Sequence, residues 1–142
     1  MKKLEFSIPI NATKEKVWEA LWKDDNYRNW CAVFHEGSHY ESDLKEGSKI
    51  YFLGPDKSGM FATIEKMVPY EKMYFLHKGD YKNGVEQTEN YGENAIENYD
   101  LSEENGTTTL SVTMNAPEDY IPYFTSTFPT ALEKVKDIAE RL

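Results

Sequence analysis

The sequence predicts an α+β fold: a curved antiparallel sheet of about six to seven strands wrapped round a long C-terminal helix, with short helices after the first strand. Three observations carry this expectation. Residues 5–10 alternate apolar and polar side chains and run straight into a helical pattern. Residues 35–114 form a succession of strand-like runs broken by turn signals. Beyond Pro117 the apolar residues recur at three- and four-residue steps, the period of one buried helical face. Antiparallel strands with one apolar face need a cover, and the terminal helix is the element long enough to provide it. Any space left between the two layers is the expected site.

Each element has its own signal. Phe6, Ile8 and Ile10 alternate with Glu5, Ser7 and Pro9, as in a half-buried strand. Thr13 suits an N-cap, and Glu15 puts negative charge in the first helical turn. Val17, Ala20 and Leu21 then share a helical face. Residues 23–30 read as an aromatic-rich connection, and 35–40 as a weak strand. Residues 49–53 are a strong strand, closed by the turn Gly54-Pro-Asp-Lys-Ser-Gly59. Strands follow at 60–68 and 73–77. The polar stretch 79–93 contains Asn83-Gly84, a hairpin signal, and reads as either an extended hairpin or a lid. Residues 95–101 and 107–114 pair around Glu103-Glu-Asn-Gly106, with the acidic pair in a solvated turn. Tyr120, Phe124, Phe128, Ala131, Leu132, Val135, Ile138 and Leu142 form the stripe of the last helix. Pro129 interrupts that stripe, which predicts one helix kinked there or two helices divided there.

Composition narrows the function. A chain of 142 residues suits one domain, 1–142, with a single core. Ten tyrosines exceed what a dry core easily holds, because each buried hydroxyl needs a partner. Some are therefore expected on a surface or in a pocket. The net charge of −9 argues against nucleic acid and against an anionic membrane surface. No run approaches the roughly 18 apolar residues of a membrane span. The start, Met-Lys-Lys-Leu-Glu-Phe-Ser, lacks the apolar segment of a signal peptide. The single Cys31 excludes an internal disulfide and fits a reducing compartment. A cytoplasmic location is expected, with no cofactor. The 54–59 turn has the wrong spacing for a phosphate loop. His35 and His39 are four apart, but their surroundings read as strand or loop with no third ligand, so no metal site is expected. Cys31 reads as a small buried thiol beside Trp30, since nothing near it in sequence lowers its pKa.

With these elements placed, Ile10-Asn-Ala-Thr-Lys-Glu-Lys-Val-Trp-Glu-Ala-Leu21, Trp30 and Leu44-Lys-Glu-Gly47 resemble the START-like, helix-grip superfamily. The polyketide cyclases and the birch-pollen-allergen-type proteins belong to it too. Ala62-Thr-Ile-Glu-Lys-Met-Val-Pro69 with Met73-Tyr-Phe-Leu-His77, the segment from Tyr99 to Leu110, and Phe128-Pro-Thr-Ala-Leu-Glu-Lys-Val-Lys136 are most similar to the branch named after the activator of heat-shock-protein-90 ATPase. The resemblance covers nearly the whole chain, and its motifs specify fold better than activity. The sequence departs from the branch at Trp30-Cys31, where two aromatics are usual. It departs again at His77, where Trp is usual, and at Glu97, where a small apolar residue is usual. The co-chaperone that gave the branch its name carries a separate N-terminal domain absent from this sequence, so the resemblance does not transfer co-chaperone activity.

The resemblance implies a deep cavity for a small hydrophobic or amphipathic molecule, lipids included, and no single shared reaction. The strands are expected to line it with Phe52, Phe75, Tyr99 and Met114. The connection after the first helix adds Trp30 and Phe34, and the last helix adds Tyr120, Phe124 and Phe128. Period-two alternation puts Met73, Phe75 and His77 on one strand face. Glu97, Tyr99 and Leu101 share another. If both faces are inward, His77 and Glu97 meet in one cavity, where a carboxylate fixes the imidazole tautomer. The alternatives are a satisfied buried pair, or a one-residue slip that leaves Glu97 in solvent. Three functions follow: a ligand binder, a protein-interaction or stress-linked adaptor, and a cyclase- or hydrolase-type enzyme using His77 and Glu97. Binding without catalysis is the leading expectation. Relatives that pair through sheet edges or helix faces leave a homodimer open.

Overall fold

The structure is a computed structural model and describes residues 1–88 and 94–142. In chain order it contains β1 (Lys2–Ile10), α1 (Lys14–Trp22), α2 (Asp24–Cys31), β2 (His39–Glu41), β3 (Lys49–Leu53) and β4 (Gly59–Val68). Then come β5 (Lys72–Lys82), β6 (Val85–Gln87), β7 (Ile96–Glu104), β8 (Thr107–Ala116), a 3-10 turn (Glu118–Tyr120) and α3 (Ile121–Arg141). The strands form one antiparallel sheet in the order β1-β8-β7-β5-β4-β3-β2, with β6 added on β5. The sheet is curved, and α3 packs against β1, α1 and α2. No helix among the described residues is long and apolar enough to cross a membrane.

Local chemistry explains the elements. Leu4 and Phe6 are half-buried while Ile8 and Ile10 are buried on the same face of β1. The Thr13 hydroxyl accepts from the Lys16 N–H at 3.3 Å, capping α1. The Glu103 carboxylate accepts from the Lys14 N–H at 2.8 Å, so the hairpin of β7 and β8 also clamps this helix start. Thr13→Ala is expected to cost about 1 kcal/mol in urea unfolding. A loss well below that would show the Glu103 contact holding the helix start by itself.

The two hairpin turns with Asn-Gly have both residues at positive φ: Asn83 and Gly84 at 53° and 76°, Asn105 and Gly106 at 53° and 81°. That is the geometry of a two-residue turn matched to strand twist. The first makes residues 79–88 an extended hairpin, with β5 running on to Lys82 and β6 paired to it. The lid reading of 79–93 falls in part on residues 89–93, outside the described residues. The second turn is shorter than expected. Glu103 and Glu104 are not in it but in β7, paired with Thr108 and Thr107.

Other expectations are corrected. The stretch 23–30 is largely the helix α2, with Tyr27, Trp30 and Cys31 buried at three- and four-residue spacing. Eight residues are too few for that period to stand out. Only the end of 35–40 is strand, because Ser38 N–H bonds back to the His35 carbonyl in a turn. Of the two alternatives at Pro129, a single helix is the one found, since α3 continues through it. Both Pro129 and Thr125, whose carbonyl loses its usual partner, face solvent, where water can replace the missing bond. Phe128, Ala131, Leu132, Val135 and Ala139 are buried along the other side.

The sheet register skips two residues between β4 and β5, Glu65 on β4 and Lys78 on β5. Bulges of this kind bend a strand and re-aim its side chains. The one at Lys78 adjoins His77.

Candidate functional site

β5 and β7 are neighbours in register, with Phe75 opposite Glu97 and Met73 opposite Tyr99. His77, one alternation beyond Phe75, therefore reaches Glu97 diagonally. Its Nε2 lies 2.9 Å from Glu97 Oε1, and the Tyr99 hydroxyl donates to the other carboxylate oxygen. The His77 and Glu97 side chains are 11% and 21% exposed, so the pair lies at the rim of the core and not in open solvent. The remaining imidazole nitrogen, Nδ1, is buried and has no partner among the described residues.

Burial alone would raise the Glu97 pKa. The hydrogen bond and charge of His77, with the Tyr99 hydroxyl, outweigh it and hold Glu97 below its ordinary value. An ionised Glu97 accepts from both neighbours. It holds His77 Nε2 as a donor and leaves Nδ1 without a partner among the described residues. A carboxylate depressed in the folded state adds stability that is complete above its unfolded pKa, near 4.3, and is lost as pH falls through the folded value. The wild type is accordingly expected to lose urea stability more steeply below about pH 5 than Glu97→Gln. Parallel acid slopes in the two proteins would refute the assignment.

Aromatic rings surround the pair. The Phe52 ring is 5.4 Å from His77 and 5.2 Å from Phe75. Tyr99 meets Trp22 at 5.0 Å and Trp30 at 6.4 Å, both edge-on. Met114 on β8 is directly opposite Glu97. The Trp30 indole donates to the Leu21 carbonyl at 3.0 Å. Trp30, Phe52, Phe75, His77, Glu97, Tyr99 and Met114 thus form one region.

Phe34, Phe124 and Phe128 form another. Phe128 stacks on Phe6 at 5.0 Å and meets Phe34 at 4.9 Å and Phe124 at 6.0 Å. Tyr120 joins neither the core stripe nor the helix. It sits in the turn before α3, 57% exposed.

Sequence reasoning overlooked Trp22 and Tyr27, which stack at 6.3 Å. Recognising α2 would have found Tyr27, three residues from Trp30 on the same face. Cys31 is buried, and burial pushes its thiol pKa far up, against a smaller opposing hydrogen bond with Tyr27 and with a still smaller push upward from the Glu97 charge. That makes it a poor nucleophile. His35 and His39 turn to different backbone carbonyls, those of Glu36 and Gly37.

An antiparallel sheet curled over a C-terminal helix, with short helices after its first strand, defines a helix-grip protein of the START-like class. Residues 11–136 match the family described as Activator of Hsp90 ATPase homolog 1-like protein, and the chain belongs to that family. No curated protein matches it at a significant level. Among solved structures it is similar to the Aha1 dimer from Colwellia psychrerythraea, at 20% identity and a TM-score of 0.73 over 99% of this chain and 97% of that one. It is also similar to an AHSA1-like protein from Aeromonas hydrophila, at 19% identity and a TM-score of 0.67 over 97% and 93%. A protein of the dynemicin biosynthetic locus matches at 14% identity and a TM-score of 0.74 over 99% of this chain. This chain spans about half of that one, 48%. At these identities the likenesses show the fold.

Proposed function

We propose that the chain binds a small amphipathic molecule whose apolar body packs among the aromatics near Phe52 and Phe75 and whose polar group hydrogen-bonds with His77 Nδ1. The observation carrying this reading is the buried, unpartnered Nδ1 beside an ionised Glu97. A buried polar atom left unsatisfied costs free energy that a matching ligand atom recovers. The residues that would contact the ligand are those of the His77 region, with Phe34, Phe124 and Phe128 at the helix side. The same geometry favours a second reading. A base oriented by a carboxylate is also the arrangement for proton abstraction from a bound substrate, with His77 as base and Glu97 as its positioning residue. A homodimer accords with the dimeric neighbour from Colwellia.

Native mass spectrometry of freshly purified protein, with denaturing spectra as control, tests binding directly. It is paired with a titration of 2-naphthol followed at the His77 ring resonances. An adduct of a few hundred daltons that vanishes on denaturation, or a saturable shift lost in His77→Phe, supports the reading. A clean mass together with an unperturbed His77 ring would sink it.

A further inference from the structure

An open groove of about 460 Å³ lies between α1 and the turns at residues 44 and 70, away from His77. That volume is in the range of small-molecule sites. Its walls are aromatic. Trp18 and Trp22 come from α1 and Tyr70 from the turn joining β4 to β5. The Trp18 ring is 6.2 Å from Trp22 and 6.2 Å from Tyr70, at 72° and 68°. Rings set at such steep angles enclose a corner with their faces and do not stack. Corners of this kind receive organic cations, which are drawn to the negative π-faces.

Charge points the same way. Glu15 and Glu19, one helical turn apart, both line the groove. Lys23 also lines it, but its ammonium lies 3.8 Å from Glu19. Glu15 has no ion-pair partner among the described residues, so the groove keeps an uncompensated negative charge.

The backbone places two of the walls. Leu44 and Tyr70 both reach the groove from left-handed conformations, with φ of 59° and 68°. Among the described residues, the other non-glycine residues at positive φ are Lys57 and two asparagines in Asn-Gly turns. At Tyr70 the turn sets this geometry: Tyr70 follows Pro69, and the Glu71 N–H closes the turn on the Val68 carbonyl, which holds the ring at the groove.

We infer that this groove binds a small alkylated ammonium ion. The faces of Trp18 and Tyr70 receive the cationic head, and Glu15 provides the countercharge. Trp22 also packs on Phe75 and Tyr99 of the His77 region, whereas Trp18, Tyr70 and Glu15 belong to the groove.

The test is a titration of the full chain with choline, followed at the indole N–H resonances of Trp18 and Trp22. The control is choline's uncharged tert-butyl isostere. Tyr70→Gly removes a ring while relieving the left-handed backbone, so the fold is kept. Glu15→Gln removes charge without changing shape. Choline is expected to shift both indoles saturably, with the isostere about tenfold weaker and each variant weakened about fivefold. Equal binding of choline and its isostere would mean a merely apolar groove. An unsaturable response, or affinity unchanged in both variants, would equally overturn the assignment.

Discussion

Trp30→Ala is expected to destabilise the protein by about 3–5 kcal/mol, read from urea unfolding by circular dichroism. Trp30 is 2% exposed, meets Tyr27 and Tyr99 edge-on, and ties α2 to α1 through its bond to the Leu21 carbonyl. Truncation removes the apolar area, leaves a cavity that the surrounding rings cannot fully close, and orphans a carbonyl. For a domain of ordinary stability, about 5–15 kcal/mol, that is a large share of the total. Trp30→Phe keeps most of the volume and loses the hydrogen bond, so it is expected to cost about 1–2 kcal/mol. If the alanine variant unfolded within about 1 kcal/mol of wild type, Trp30 would not be the anchor of these helices.

Glu97→Ala is the second large effect, at about 2–4 kcal/mol. It leaves His77 Nε2 and the Tyr99 hydroxyl without their common acceptor, and buried donors with no partner carry their full desolvation cost. The decisive comparison is the triple variant His77→Phe, Glu97→Leu, Tyr99→Phe. Replacing all partners of a buried polar cluster by apolar groups of similar size is often close to neutral, so the triple variant should recover most of the lost stability. A triple variant as unstable as Glu97→Ala would show that the site depends on something other than the pairing. In that event the proposal for Nδ1 loses its structural basis as well.

Much of the strand pattern was legible because it depends on local chemistry. The 49–53 run, the Asn83-Gly84 turn and the Thr13 cap each carry their own signal within a few residues. Alternation put His77 on one face with Phe75 and Glu97 on one face with Tyr99, and the family resemblance supplied the inward direction, which is why their meeting could be put forward as one alternative before their distance was known. What stayed hidden was short or cooperative. α2 has too few residues for its period to register, and the extent of β5 was set by its partner β6 and by the bulge at Lys78. Tyr120 continued the apolar stripe on paper, yet the 3-10 turn before α3 leaves it exposed.

By itself, the sequence determined the order of elements, the antiparallel sheet under a terminal helix, and which faces are apolar, because periodicity is written along the chain. Only the tertiary structure decided that Glu103 caps α1, that an unpartnered Nδ1 remains beside Glu97, and that Trp18, Trp22 and Tyr70 converge on two acidic side chains. These contacts join residues far apart in sequence. Their geometry depends on how the whole sheet bends and where its register shifts, which no local pattern encodes.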